Sequence, residues 1–231
     1  MELFTPAFWV AALQIIVINI LLSGDNAVVI ALACRNLPAQ QRRWGVLWGA
    51  VGAIVLRIVL TFFAVRLLEL PYLKIVGALL LLWIGIKLIA TDDGDNHEVK
   101  ASDRMLSAVK TVIVADLVMS IDNVLAVAGA ANGSLPLLVF GLVVSIPLVI
   151  VGAQLIMKMI ERLPVLIVAG GGLLGYVAGE MVVGDPALAD WLAHAPHWLH
   201  WAIPAAGVVF VVGVAKWLDR GNESRDLGPP A

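Results

Sequence analysis

The sequence predicts an all-α, polytopic membrane protein with seven spanning helices, and three observations carry that prediction. First, 61% of its 231 residues are hydrophobic and only 14% are charged, whereas soluble domains carry about 25% charged residues; mean hydropathy is +0.97. Second, apolar runs recur along the whole chain, each comparable with the ~20 residues a helix needs to cross about 30 Å of hydrocarbon. Third, a polar stretch inside the first run, Asn19-Ile-Leu-Leu-Ser-Gly-Asp-Asn26, returns inside the fourth as Asp116-Leu-Val-Met-Ser-Ile-Asp-Asn123.

Taken in order, the spans are expected near 7–33, 44–68, 72–90, 105–130, 135–157, 164–183 and 201–218. The first is read as a span and not as a cleaved signal, because it has no basic leading region and is interrupted by Asn19, Ser23, Asp25 and Asn26. Residues 91–103 (TDDGDNHEVKASD) are the one long hydrophilic connection. Its acids Asp92, Asp93, Asp95 and Glu98, with His97, read as a solvated turn. Before the last span, Trp191, His194, His197, Trp198, His200 and Trp201 suggest a short helix lying at the lipid–water interface, where Trp concentrates. The three histidines could receive a metal, but Pro196 interrupts the helix that would align them. Residues 219–231 read as a disordered tail.

Orientation follows from the basic residues, since short loops rich in them stay cytoplasmic. Arg35, Arg42, Arg43, Lys87, Lys100, Arg104, Lys110, Lys158, Arg162, Lys216, Arg220 and Arg225 fall on one side, and only Arg66 and Lys74 on the other. The N-terminus is therefore expected outside and the C-terminus in the cytoplasm. Net charge is −2 with no basic domain, so nucleic-acid binding has no electrostatic footing. The single cysteine, Cys34, excludes an intramolecular disulfide and a multi-thiolate metal site.

The two polar stretches align without a gap at a shift of 97, and Leu70-Pro71 matches Leu163-Pro164 at a shift of 93. This predicts a duplicated three-helix unit plus a seventh helix. Residues 1–90 form the first unit, 91–104 a cytoplasmic loop, 105–184 the second unit, 185–218 a periplasmic interfacial segment with the seventh helix, and 219–231 the tail. An odd number of spans per unit puts the copies in opposite orientations, the inverted-repeat plan of many secondary transporters, whose substrate sites lie near the bilayer midplane.

An aspartate at the centre of a spanning helix costs about 2.5–3.5 kcal/mol on insertion scales, so Asp25, Asp116 and Asp122 need a compensating role. Asn19, Ser23 and Asn26 share a helix face, and Asp116, Ser120 and Asn123 repeat that spacing. Asp25 and Asp122 stand about 100° around from the neighbouring asparagine in a regular helix, so a local break would bring Asp and Asn together. Gly24 makes the break easy in the first stretch; in the second, Ile121 stands there, and distortion would come from packing or from Ser120 bonding its own backbone. Carboxylates, carboxamides and hydroxyls without a nearby His or thiol are hard oxygen ligands, suited to Mg2+, Ca2+ or Mn2+. A divalent ion would neutralise two charges, and the third carboxylate would hold a proton when the metal is absent. Arg57, midway along the second span, must find a counter-charge among these acids. Lys87 and Glu180 sit near span ends, where snorkelling explains them.

The paired motifs Ser23-Gly24-Asp25-Asn26 and Ser120-Ile121-Asp122-Asn123, with Asp116 ahead of the second, resemble those of the TerC family of bacterial membrane proteins, in its compact YjbE-like branch. The resemblance extends from about residue 7 to 220. It implies a multi-pass protein of the inner membrane associated with manganese homeostasis, chiefly Mn2+ export, in some members with supply of metal to exported enzymes. By motif it makes Asp25, Asn26, Asp122 and Asn123 substrate ligands and Asp116 an additional carboxylate. The chain lacks the extra spans of longer relatives, so a tellurite phenotype does not transfer.

Three other classes compete. An intramembrane aspartyl protease also uses two aspartates, but Leu22 stands where a Gly would precede the first, and the asparagines have no role in that chemistry. A retinal protein would use Lys216, which lies beside Trp217 and Asp219 near a span end. An amino-acid exporter would need a cation for the substrate carboxylate, for which only Arg57 is available. The expectation is a transporter and not an enzyme, with no permanently bound cofactor. Its partners would be the transported ion and the bilayer; homo-oligomerisation and delivery to exported metalloenzymes stay open.

Overall fold

The computed structural model describes residues 9–10, 13–14, 16–17, 24–68, 70–90, 101–130 and 135–226. Among these there are helices and no strands: α1 Gly24–Cys34, α2 Ala39–Leu68, α3 Leu73–Ala90, α4 Ala101–Ala130, α5 Leu135–Arg162, α6 Val165–Val183, a 3-10 turn Pro186–Leu188 leading into α7 Ala189–His194, and α8 Leu199–Asp226. Five segments are long and apolar enough to cross a membrane: Ala39–Phe63, Leu73–Ala90, Val139–Arg162, Val165–Val183 and Leu199–Asp219. The expected spans 7–33 and 105–130 are not among them. The part of the first before Gly24 lies mostly outside the described residues, and the second is one unbroken 30-residue helix carrying Asp103, Arg104, Lys110, Asp116 and Asp122.

The charged loop acids at 91–100 lie outside the described residues. At the other end one expectation is corrected: α8 runs on to Asp226, so the tail expected as disordered from 219 is helical over its first turns. A helix of 28 residues is about 42 Å long, more than the hydrocarbon requires, and its polar last turns project beyond it.

Large apolar side chains face outward over the flanks, among them Val55, Phe62, Phe63, Val151, Leu155, Val209 and Phe210. A surface of this kind suits contact with lipid or with another apolar surface. Exposed tryptophans flank it, with Trp44, Trp83 and Trp217 towards one end and Trp191, Trp198 and Trp201 towards the other. The interior is lined by small or medium residues, with Ala31, Ala78, Ala115 and Ala153 fully enclosed.

Contacts fix the relative directions of the helices. Gly45 meets Met105, Gly49 meets Val112 and Gly52 meets Ile113, so α2 and α4 run parallel. Gly77 meets Met181 while Gly85 meets Gly171 and Leu174, so α3 and α6 are antiparallel. Helix α1 packs on α5, α4, α2 and α6, α4 also packs on α2 and α3, and α8 packs on α6 and α3.

The α6–α8 seam is the closest of these. Gly172, Gly175 and Gly179 of α6 face α8, and such small residues let helix backbones approach in lipid. A Cβ at Gly175 would overlap the carbonyl of Gly207, and one at Gly179 would overlap Pro204. At the end opposite the arginine-rich one, Asp185 ties three segments together. Its carboxylate accepts the backbone N–H groups of Tyr72 (3.0 Å), Lys74 (3.0 Å), Ile75 (3.1 Å) and Ala187 (2.8 Å). It thus satisfies the first donors of α3 from a distant part of the chain and starts the 3-10 turn. Tyr72 sits at φ 66, in the left-handed region, a conformation costing about 1–2 kcal/mol that the bond to Asp185 helps to hold.

Burial of Asp185 opposes its ionisation, but the four N–H groups of Ala187, Tyr72, Ile75 and Lys74 outweigh it and hold the carboxyl below its ordinary value of 3.8. A carboxyl depressed by folding contributes stability that is complete above its unfolded value and is lost as pH falls through the folded one. Thermal unfolding in detergent is therefore expected to show wild-type stability falling below about pH 3.8, with Asp185→Asn losing that part of the slope. Asp185→Ala, which leaves several part-buried donors without this acceptor, is expected to cost about 1–3 kcal/mol at neutral pH. For Gly175→Ala, overpacking predicts a loss of about 1–3 kcal/mol in the same assay, and an unchanged melting temperature would refute the close approach.

Candidate cation site

Where α1, α2, α4 and α5 meet, the described residues bring a cluster of polar groups together in a largely apolar interior. Arg57 of α2 is 3% exposed, Asp116 of α4 is 5% exposed and Ser120, one turn further along α4, is fully buried. The Arg57 Nη2 lies 2.8 Å from Asp116 Oδ1. Its Nε donates to Ser120 Oγ at 3.0 Å, and that hydroxyl donates in turn to Asp116 Oδ2 at 3.1 Å. The three side chains close a ring of charge-assisted hydrogen bonds, which are shorter and stronger than neutral ones.

Local packing explains how they meet. Because α2 and α4 are parallel, residues advance together along both. At Gly52 a Cβ would lie 2.6 Å from Ile113 Cδ1, so the missing side chain lets the helices come close just before Arg57 reaches Asp116. Thr61 Oγ1 donates back to the Arg57 carbonyl at 2.8 Å, occupying a hydroxyl that would otherwise be bare in an apolar helix.

A cavity of about 20 Å³ opens beside the ring, lined by Asn26, Val29 and Ile30 of α1, Ala50, Ala53, Ile54 and Arg57 of α2, Val112 and Asp116 of α4, and Val149 of α5. That is room for one water-sized guest. Asn26 is 6% exposed. Asp25, half-buried in the first turn of α1, accepts the Asn26 backbone N–H on its Oδ1 at 2.8 Å and lies within electrostatic reach of Arg57 and Asp116.

The expected site residues thus divide. Asn26, Asp116 and Arg57 share the cavity wall, Ser120 is bonded to two of its members, and Asp25 stands close by. Asn123 is half-buried on α4 and does not line the cavity. Asp122 lies on α4 with its side chain outside the described residues, as are Asn19 and Ser23 altogether. Among the described residues no group of three His, Cys, Asp or Glu side chains gathers. One expectation is corrected: Ser120 gives its hydroxyl to Asp116 and not to the backbone, and α4 continues unbroken past it. In the first motif the start of the described helix at Gly24 puts Asp25 and Asn26 in its first turn.

The interfacial histidines also differ from a ligand cluster. His194 Nδ1 lies 2.8 Å from the Asp190 carbonyl, while the rings of His197 and His200 pack edge to face with centroids 5.4 Å apart.

The chain belongs to the integral membrane protein TerC family, whose model matches residues 4–223. It is 44% identical over 186 residues to the Bacillus subtilis protein named "Uncharacterized membrane protein YjbE", covering 80% of this chain and 85% of that one. It is 28% identical over 185 residues to "Uncharacterized membrane protein YceF" of the same species, covering 76% and 72%. It is 24% identical over 176 residues to "UPF0053 inner membrane protein YgdQ" of Escherichia coli, covering 69% and 74%. No solved structure matches. The chain is an integral, multi-pass membrane protein with bacterial homologues.

Ser120→Ala removes the hydroxyl that both Arg57 and Asp116 use, while the direct ion pair remains. The expected cost is about 1–3 kcal/mol, the penalty for buried polar groups left short of a partner, read as a lowered unfolding temperature in detergent. No change would mean that the ring does not form.

Proposed function

We propose that this protein exports a hard divalent cation, Mn2+ first among them, from the cytoplasm across the bacterial inner membrane by alternating access. The observation that carries the reading is the small cavity walled by Asn26 of the first motif and Asp116 ahead of the second. A carboxylate and a carboxamide, with the Arg57 guanidinium paired to the carboxylate, line a space the size of one water in an apolar bundle. That chemistry suits a dehydrated hard ion. Membership of the TerC family supports membrane transport.

The architecture proposed with it is seven spans in a 3+3 inverted repeat plus α8, with the N-terminus outside. Two features support it. Exchanging the roles of α1 with α4, α2 with α5 and α3 with α6 turns the α1–α5 contact into α2–α4 and the α1–α6 contact into α3–α4, and all four occur. The parallel α2–α4 and antiparallel α3–α6 pairs are also those an odd-numbered, inverted unit produces. At one end of the bundle Arg35 donates to the Leu88 carbonyl at 2.7 Å and Arg42 pairs with Glu161 at 2.7 Å, and that basic end is assigned to the cytoplasm.

In this reading Asp25, Asn26, Asp122 and Asn123 are the ligand set and Asp116 serves as further ligand or proton carrier; Asn26 and Asp116 already line the cavity, and Asn123 must turn towards it to hold the ion. There is no covalent chemistry and no resident cofactor; the ion is cargo. An amino-acid exporter is disfavoured by the cavity, which is too small for a zwitterion, and by Arg57, whose guanidinium is already on Asp116.

Metal uptake into inside-out vesicles carrying a lumenal pH probe tests substrate, direction and coupling together. Wild type should accumulate Mn2+, with lumenal alkalinisation if protons are exchanged. Asp25→Asn and Asp122→Asn should each abolish uptake while inserting at least as well as wild type, since each removes a charge from the membrane interior. Full export by either variant would overturn the proposed ligand set.

A further inference from the structure

We propose that Arg57 is a tethered substitute for the transported cation: in the ion-free site its guanidinium occupies the carboxylate of Asp116, and an arriving divalent ion binds by displacing it. This rests on the cation-export reading and extends it by assigning the ion a built-in competitor.

Three observations carry the inference. Both carboxylate oxygens of Asp116 are engaged, Oδ1 by Arg57 at 2.8 Å and Oδ2 by Ser120 at 3.1 Å. Asp116 is therefore not a waiting ligand, and an ion that uses it must take the place of a bond already made. Arg57 and Asp116 both line the cavity of about 20 Å³, so a guest there meets the pair directly. A divalent ion and a guanidinium repel one another strongly in so small and poorly solvated a space. Lastly, both partners are buried, Arg57 to 3% and Asp116 to 5% exposure. An ionised carboxylate left bare there would be severely destabilising, and the guanidinium of Arg57, 2.8 Å away, supplies the opposite charge.

Arginine suits this role because it stays charged at every physiological pH and its planar fork fits a carboxylate. Ser120 holds the fork in register through Nε at 3.0 Å. The consequence is twofold. Competition from Arg57 weakens ion binding and so favours release, and the re-formed pair lets the unloaded protein return without an exposed buried charge.

The test uses the full chain, with Mn2+ as probe. Binding is measured by calorimetry in detergent, and two transport modes are compared in liposomes: net movement into metal-free medium, and exchange of labelled for unlabelled Mn2+. Arg57→Gln is expected to tighten binding by about 5- to 150-fold, the usual range of a coupling between two linked events. It should retain exchange and lose net movement at least about tenfold, because the empty site lacks its cation. Arg57→Lys supplies a weaker competitor without the fork and should give tighter binding than wild type with net movement partly kept. A role confined to packing would reduce both transport modes together.

If Arg57→Gln does not fold, Arg57→Lys decides the matter alone. Binding as weak as wild type or weaker in the folded variants, or exchange falling in step with net movement, overturns the proposal. Absence of Mn2+ binding and transport in the wild type would instead overturn the export reading, and this inference with it.

Discussion

Removing a guanidinium from water obliges the rest of the bundle to supply what water gave it. Arg57 cannot be buried in an apolar helix unless a carboxylate meets it at bonding distance, and that requirement fixes the register of α2 against α4. The parallel pairing, the close approach at Gly52 and the placement of Ser120 one turn beyond Asp116 all serve one juxtaposition. The cavity beside it follows from the same arrangement.

The two ends of the bundle are held by different means. At the arginine-rich end, Arg35 covers the Leu88 carbonyl at the finish of α3, where a positive charge suits the helix dipole. At the opposite end, Asp185 covers the first N–H groups of the same helix, where a negative charge suits it. Helix α3 is therefore closed at both termini by side chains from elsewhere in the sequence.

Much of this was legible in the sequence because lipid imposes a simple rule. Apolar runs of spanning length marked α2, α3, α5, α6 and α8, and the need of Arg57 for a counter-charge pointed to an aspartate, which proved to be Asp116. What stayed hidden depends on three-dimensional approach. Nothing local to Ser120 says whether its hydroxyl turns to its own backbone or to a side chain one turn back; the guanidinium of another helix decides it. Asp185 read only as part of an interfacial segment, although Asp185-Pro186 is a turn-initiating pair. Its reach to Tyr72 depends on a contact 113 residues away in the chain. The glycines of α6 drew no reading from the sequence, because which helix meets them depends on packing. The extent of α8 was misjudged because its polar last turns resemble a solvated tail by composition alone.

The α6–α8 seam carries a consequence for the energetics of movement. Two like halves, on the proposed plan, would by themselves possess a pair of mirror-related resting arrangements of equal free energy. Helix α8 breaks that equality, because it meets α6 backbone to backbone at Gly175 and Gly207 but meets α3 through the side chain of Val211 against Gly85. On that plan an unequal grip of this kind would favour one of the two arrangements over the other.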